Sequence, residues 1–366
     1  MKICFLIRAL DSGGAQTQVG VLACALGQAG HEVEILTYYP GGVVADELAH
    51  TNVSIHCLHK SGRWDIIRFM WRLIARLRAK RPDCLYSFLT VSNILSVLVR
   101  PFVRNMPVIW GVRASKMKPG QYGFWERLPA HVELLLSTYA PVIVCNSEQA
   151  LRDCRARGMG MTDKKLHWIA NGIDTGTFVP HRVAGQRLRG TWELPRDAFI
   201  VGVSARYDPM KGFDVLLAVV RRMRKHSPGI WFVLAGRGTE RFGEDGVLGL
   251  GERTSMRDFY CAVDVLCLPS VFGESFPNAI AEAMACGVPV VATDVGATSE
   301  IVADTGWIVP AGDECALFAA LKEASNCSRE ALRKKGKQAR ERIEKQYTVD
   351  RLVCRTLELI AMVKHR

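Results

Sequence analysis

"LPSVFGESFPNAIAEAMACGVPVVATDVG", Leu268 to Gly296, carries the decision about the fold. It continues an apolar run, "VDVLCLP" (263–269), passes a turn holding Gly273 and Pro277, and crosses a helix-like stretch of small residues. It then enters a second apolar run, "VPVVATD" (288–294). Strands without polar alternation are covered on both faces, and a helix between two of them makes a parallel βαβ unit. Ser275 or Phe276 is placed to cap the helix, and Pro277 suits its first turn, where a missing N–H costs nothing.

The same rhythm repeats outward. The first half reads as strands "KICFLI" (2–7), "HEVEILTY" (31–38), "PDCLYSF" (82–88), "MPVIWG" (106–111) and "PVIVCNS" (141–147). Helical patterns "AQTQVGVLACALGQAG" (15–30), "DIIRFMWRLIARLRAK" (65–80) and "SEQALRDCRARG" (147–158) fall between or after them. After "NGIDTGTFVP" (171–180) and the basic, irregular "HRVAGQRLRGTWELP" (181–195), the rhythm restarts with "AFIVGVSA" (198–205), "GFDVLLAVVRRMRKH" (212–226), "GIWFVLAG" (229–236) and "SMRDFYCA" (255–262). The expected fold is α/β: two doubly wound, Rossmann-like domains over 1–175 and 196–345. A linker is expected near 171–195, and a C-terminal helix over 346–366 packs back on the first domain. Such domains facing each other place a ligand cleft at the C-terminal ends of their strands.

Composition narrows the function. The chain has 366 residues, 49% of them hydrophobic, enough for two cores. Charged residues make up 23% without a low-complexity tract, which excludes a disordered chain. The first residues, "MKICFLIR", hold five apolar positions before Arg8, too few for a signal-peptide core, and no apolar run has membrane-spanning length. The twelve cysteines are scattered, lack a CxxC pair and fall largely in apolar runs (Cys4, Cys145, Cys267, Cys286), so reduced thiols in a cytoplasmic setting are expected. No ligand pair has zinc-finger or HExxH spacing, so no metal is expected. Net charge is +12, which suits nucleic acid, an anionic membrane or phosphorylated substrates. No nucleic-acid module is recognisable, and nucleic acid is not an expected partner.

Five stretches hold candidate chemistry. In "DSGGAQ" (11–16), Gly13 and Gly14 permit close backbone approach to a ligand at a helix N-terminus; a tight turn with nothing bound reads equally well. In "ARYDPMKGF" (205–213), Arg206 and Lys211 follow a strand and suit the oxygens of a diphosphate, against the alternative of two solvated cations. Glu274 sits at the positive end of the helix and Glu282 inside it. They read as grips for two diols with a diphosphate between, or as a dipole partner and a solvated helix acid. Arg113, after the strand "MPVIWG", either meets substrate or is an ordinary surface residue. In the fifth, Arg68, Arg72, Arg76 and Lys80 share one helix face at i, i+4 steps; this is a solvated basic face or one that rests on anionic lipid.

Taken in order, "SGGAQ", "NGID", "ARYDPMKGF", the stretch from Pro269 to Gly296 and "SEIVADTGWIVPAGD" (299–313) make the chain resemble the retaining, nucleotide-sugar-dependent glycosyltransferases of family 4, group 1, with the GT-B fold. The resemblance runs nearly end to end and is most specific over Pro269–Gly296. It implies that Glu274 contacts the donor sugar, that Glu282 holds the ribose, and that Ser275, Phe276, Pro277 and Asn278 line diphosphate and sugar. It further implies that Arg206 and Lys211 neutralise the leaving diphosphate and that Gly13 and Gly14 close over phosphate and sugar. The catalytic set is then Arg206, Lys211 and Glu274, with a nucleotide-sugar co-substrate, no cofactor and no metal. Many members carry a histidine where this chain has Arg113; a subset that builds polysaccharides resembles this chain in having arginine. The expected acceptor is a lipid-linked saccharide in cell-surface polysaccharide synthesis, met at the cytoplasmic face of the membrane. The basic first domain and the apolar–aromatic "GQYGFWERLP" (120–129) motivate that expectation. The alternatives are a soluble glycan or small metabolite as acceptor, and an inactive nucleotide-sugar-binding scaffold.

Overall fold

The computed structural model describes residues 1–62, 64–103, 106–113, 124–243 and 245–364, and these divide into two units. Unit 1 comprises Met1–Gly172 and Val349–Arg366; unit 2 is Ile173–Thr348.

In unit 1 the elements run β1 (Lys2–Ile7), α1 (Gly14–Gln28), β2 (Glu32–Thr37), α2 (Val43–Leu48), β3 (Ser54–Cys57), α3 (Ile66–Lys80), β4 (Cys84–Phe88), α4 (Thr90–Val99), β5 (Val108–Val112), α5 (Phe124–Leu136), β6 (Val142–Cys145), α6 (Glu148–Ala156) and β7 (Leu166–Trp168). The seven strands form one parallel sheet in the order β3-β2-β1-β4-β5-β6-β7. Alternate residues of β1 feed two cores. Ile3, Phe5 and Ile7 pack with residues of α1, α2 and α14 (Val349–Lys364) on one face, while Cys4 and Leu6 pack with α3, α4 and α6 on the other. Helix α14 therefore returns to complete the core of unit 1 through Leu352, Leu359, Ile360 and Val363.

Unit 2 runs α7 (Arg182–Gly190), β8 (Phe199–Ser204), α8 (Phe213–His226), β9 (Ile230–Ala235), β10 (Val247–Gly251), α9 (Met256–Ala262), β11 (Val265–Leu268), α10 (Asn278–Ala285), β12 (Val290–Thr293), α11 (Thr298–Val302), β13 (Trp307–Val309), α12 (Glu314–Asn326) and α13 (Arg329–Gln346). Its six strands are parallel in the order β10-β9-β8-β11-β12-β13.

The stretch expected as a linker is instead structured, and the second unit begins earlier than residue 196. Helix α7 occupies its centre, and Arg189 pairs with Asp264 at 3.1 Å. The cause is a close helix approach: a Cβ added at Gly185 would lie 2.1 Å from the carbonyl oxygen of Cys261 in α9. Gly185→Ala should force the helices apart and destabilise unit 2 by about 1–3 kcal/mol, read as a lower denaturation midpoint. An unchanged midpoint would mean that this packing contributes nothing.

Candidate functional site

The chain leaves β8 towards β9 on one side of unit 2 and leaves β11 towards β12 on the other. A crevice opens beyond the strand ends where the order reverses, here between the loops that follow β8 and β11. These loops are pinned together: Val271 N donates to Met210 O at 2.8 Å. Gly212, at φ 66°, lies where a Cβ would meet Pro269 O at 2.1 Å. Only glycine satisfies both the left-handed backbone and that approach.

The contact so formed joins Lys211 to Glu274. Lys211 Nζ donates to Glu274 Oε1 at 2.5 Å, and Ser270 Oγ donates to the same oxygen at 2.7 Å. Glu274 is buried, with 7% of its surface exposed, so its charge is carried by this ammonium and hydroxyl. Arg206 does not join the cluster in this arrangement. Its Nε donates to Asp208 at 3.2 Å, and Asp208 also accepts Met210 N and caps the short turn at Pro209–Lys211.

Helix α10 starts later than expected. Its first residue is Asn278, Pro277 is the N-cap, and neither Ser275 nor Phe276 caps it. Both are held in the loop. Ser275 O accepts Ala297 N at 2.9 Å, and the Phe276 ring packs edge-on to Tyr347 with centroids 5.5 Å apart. A Cβ at Gly296, φ 64°, would fall 2.3 Å from Glu274 O, so the loop after β12 presses on the same backbone. The first turn of α10 carries no acid and no side-chain cap, which leaves its dipole directed into the loop.

Glu282 lies on a separate branch. Tyr260 Oη donates to Glu282 Oε2 at 2.8 Å and stands 3.3 Å from Ser204 Oγ at the end of β8. Burial pushes the Glu282 carboxyl up to about 7, and the Tyr260 hydrogen bond offsets only part of this. Tyr260 and Ser270 were not among the candidates from the sequence. Ser270 sits four residues before Glu274, but only the turn brings the two together.

In unit 1, Gly13 is the N-cap of α1 with extended backbone, and Gly14 is its first residue. The atoms nearest to a Cβ at Gly13 all belong to the Gln16 side chain. Arg113 is not an ordinary surface residue. It donates to Asn171 Oδ1 at 2.6 Å and to Tyr86 Oη at 3.3 Å, and its guanidinium lies 4.7 Å from the Phe88 ring centre. The "NGID" segment thus supplies Asn171 as its anchor, and Gln18 clasps the backbone of Gly172 with two hydrogen bonds of 3.0 Å. Residues 114–123, which include the start of the apolar–aromatic stretch, lie outside the described residues. Among the described residues no cluster of three metal-ligating side chains occurs, and no helix is long and apolar enough to cross a membrane.

Two family models match the chain: "Glycosyltransferase Family 4" over residues 12–177, most of unit 1 and the first residues of unit 2, and "Glycosyl transferases group 1" over 198–326, within unit 2. The D-inositol 3-phosphate glycosyltransferase of Paenarthrobacter aurescens (strain TC1) is 27% identical over 338 residues, 82% of this chain and 81% of that protein. The phosphatidyl-myo-inositol mannosyltransferase of Mycobacterium leprae (strain TN) is 33% identical over 165 residues, 41% of this chain and 42% of that protein. Among solved structures, Anabaena Alr3699/HepE in complex with UDP-glucose superposes with a TM-score of 0.86 at 18% identity, covering 99% of this chain and 100% of that one.

The raised Glu282 carboxyl has a consequence for stability. Between the ordinary carboxyl value of 4.5 and about 7, the native state holds a proton that the unfolded chain releases. Stability therefore falls as pH rises through that window. Glu282→Gln keeps an acceptor for Tyr260 and removes the charge. Relative to the unsubstituted protein it should gain about 1–3 kcal/mol at high pH over its difference at low pH. Urea unfolding near pH 4.5 and pH 8 checks this; equal differences at both would refute the shift.

Proposed function

The chain belongs to the family 4, group 1 glycosyltransferases and has their GT-B fold, and from that premise we propose that it moves a sugar from a nucleoside-diphosphate sugar to an acceptor hydroxyl with retention at the anomeric carbon. The observation that carries this reading is the Lys211–Glu274–Ser270 cluster at the switch point of unit 2, beside the uncapped start of α10. Lys211 has three N–H donors and spends one on Glu274, so two remain for the oxygens of a diphosphate. With the α10 dipole and Arg206, it places positive charge where the leaving group gains negative charge. Swinging Arg206 from Asp208 to the diphosphate needs only a change of side-chain rotamer, since half of its side-chain surface is exposed.

In this reading Glu274 has carboxylate lone pairs left for sugar hydroxyls, and Ser275 to Asn278 supply the backbone around sugar and diphosphate. Glu282 offers Oε1 to the ribose diol while Tyr260 holds Oε2. Gly13 and Gly14 are the proposed contacts from unit 1, and Arg113, fixed by Asn171 and Tyr86, is the proposed acceptor-side or sugar contact. A diphosphate oxygen takes the acceptor proton, and no metal is needed because the cations and helix dipole supply the charge. A lipid-linked saccharide at the cytoplasmic membrane face, in cell-surface polysaccharide synthesis, is the proposed acceptor. The mannosyltransferase relative, whose acceptor by its name is a phosphatidylinositol, supports a lipid-borne one.

Release of UDP or GDP from a panel of donor sugars measures the activity. Lys211→Ala should lower kcat by about 10²–10³ with little change in donor KM, because its charge is needed most as the diphosphate leaves. Glu282→Ala should chiefly raise donor KM. Normal turnover in a folded Lys211→Ala protein would overturn the charge-stabilisation account.

A further inference from the structure

Helices α9 and α10, which precede and follow β11 in the chain, each end on a thiol. Cys261 lies in the last turn of α9 and Cys286 is the C-cap of α10, and the two side chains are hydrogen-bonded to each other. The segment that leads into α7 lies against the pair. Cys261 Sγ accepts the backbone N–H of His181 at 3.2 Å and, as a thiol, donates to Val179 O at 3.5 Å. Arg340 of α13 donates to Phe178 O at 2.9 Å and to Ala285 O, so its guanidinium bridges the same segment and the end of α10.

The two thiols differ in access and in chemistry. Cys261 is half-buried, whereas Cys286 is 4% exposed. The hydrogen bond from Cys286 and, against the effect of burial, that from the His181 N–H bring the Cys261 thiol down to about 7, so much of it is thiolate at neutral pH. The Cys286 thiol is pushed up, first by the same hydrogen bond and then by burial. An accessible thiolate beside a buried, protonated thiol suits an attacking and a resolving cysteine. Other cysteines separate these properties. Cys145 Sγ donates to Cys154 Sγ at 3.5 Å, but both are fully buried; Cys315 and Cys354 are exposed, with Arg222 and Glu358 rather than a thiol as partners.

We propose that Cys261 and Cys286 are a reversible peroxide-oxidised pair whose disulfide disturbs the grip on the donor in unit 2. The Cys261 thiolate attacks one oxygen of hydrogen peroxide, the O–O bond breaks, and hydroxide leaves, giving a sulfenic acid. Cys286 then attacks that sulfur, and the sulfenic oxygen departs with the Cys286 proton as water. In all, the thiols lose two electrons and two protons, and the peroxide is reduced to water. Oxidation of Cys261 removes the thiolate whose hydrogen bond kept Cys286 protonated, so the first step favours the second. A reducing dithiol restores both thiols by exchange.

The position gives the bond its consequence. Cys261 follows Tyr260, whose hydroxyl holds Glu282, and the backbone N–H of Cys286 donates to Glu282 O at 3.0 Å. Drawing the sulfurs to about 2 Å shifts the ends of the two helices that carry the Tyr260–Glu282 contact. This link to the donor rests on the reading of Glu282 as the ribose grip; the thiol chemistry does not.

Titration of the full chain with hydrogen peroxide, followed by peptide mass mapping and by donor KM, tests it. The unsubstituted protein should yield a peptide cross-linked through Cys261 and Cys286. Its donor KM should rise about fivefold or more and return after dithiothreitol. In Cys286→Ala, which keeps a small apolar side chain at the buried position, Cys261 should stop at the sulfenic acid and be captured by dimedone. Cys261→Ser should leave Cys286 reduced and lose the KM response, and Cys145 and Cys154 should stay reduced throughout. No cross-link at peroxide levels that oxidise the exposed Cys315 and Cys354 would overturn the proposal, as would a KM response that persists in Cys261→Ser. A cross-link formed with donor KM unchanged would overturn the coupling to Glu282. The mass readout needs no turnover, so a reduced protein that transfers no sugar would count against the proposed function, while the cross-link still decides the fate of the pair.

Discussion

A lysine ammonium 2.5 Å from a carboxylate that is 7% exposed holds together the two loops on which the site of unit 2 is built. Neither loop has regular structure beyond one short turn, so this contact, with Ser270 and the close approach of Gly212 to Pro269, decides where their side chains stand. A buried carboxylate without its cation would carry a large desolvation penalty. The pair therefore constrains the local fold as well as placing charge. The expectation of two free cations at the crevice is sharpened accordingly: each has an acidic partner, one buried with it and one at the rim.

The central strands were legible because they are continuous apolar runs, buried along their length. The four strands absent from the sequence reading are β3, β7, β10 and β13, which are the four sheet edges. They are short or only partly buried, and β3 exposes Ser54, so they carry a weaker periodic signal. Helix α7 was hidden by its three arginines and two glycines between residues 182 and 190, and it becomes a helix through tertiary contact with α9. Start points were least legible. Ser275 has the right chemistry for an N-cap, but contacts from the loop after β12 and from Tyr347 keep the chain out of the helix for two more residues.

Which residues sit near the strand ends was readable from position alone; what they touch was not. Glu282 looked like a helix acid with small neighbours, and its distinguishing partner, Tyr260, comes from a helix 22 residues earlier in the chain. Arg113 acquires its geometry from Asn171, 58 residues away. Helix α3 shows the same limit in reverse. The basic i, i+4 row was visible, but its direction depends on Glu34 of β2 and on the carbonyls after β3, which draw Arg76 and Arg72 inward. Spacing defines a stripe on a helix, and only packing says which way it faces.

Lys211 and Glu274 are expected to act as one unit in turnover. A double-mutant cycle on kcat/KM with Lys211→Ala, Glu274→Ala and the double variant measures this directly. Groups that share a contact should be non-additive, with a coupling energy of about 1.5 kcal/mol or more, so that the double variant is hardly slower than the worse single one. Additive losses across the cycle, in variants that all fold, would show that the two side chains act separately.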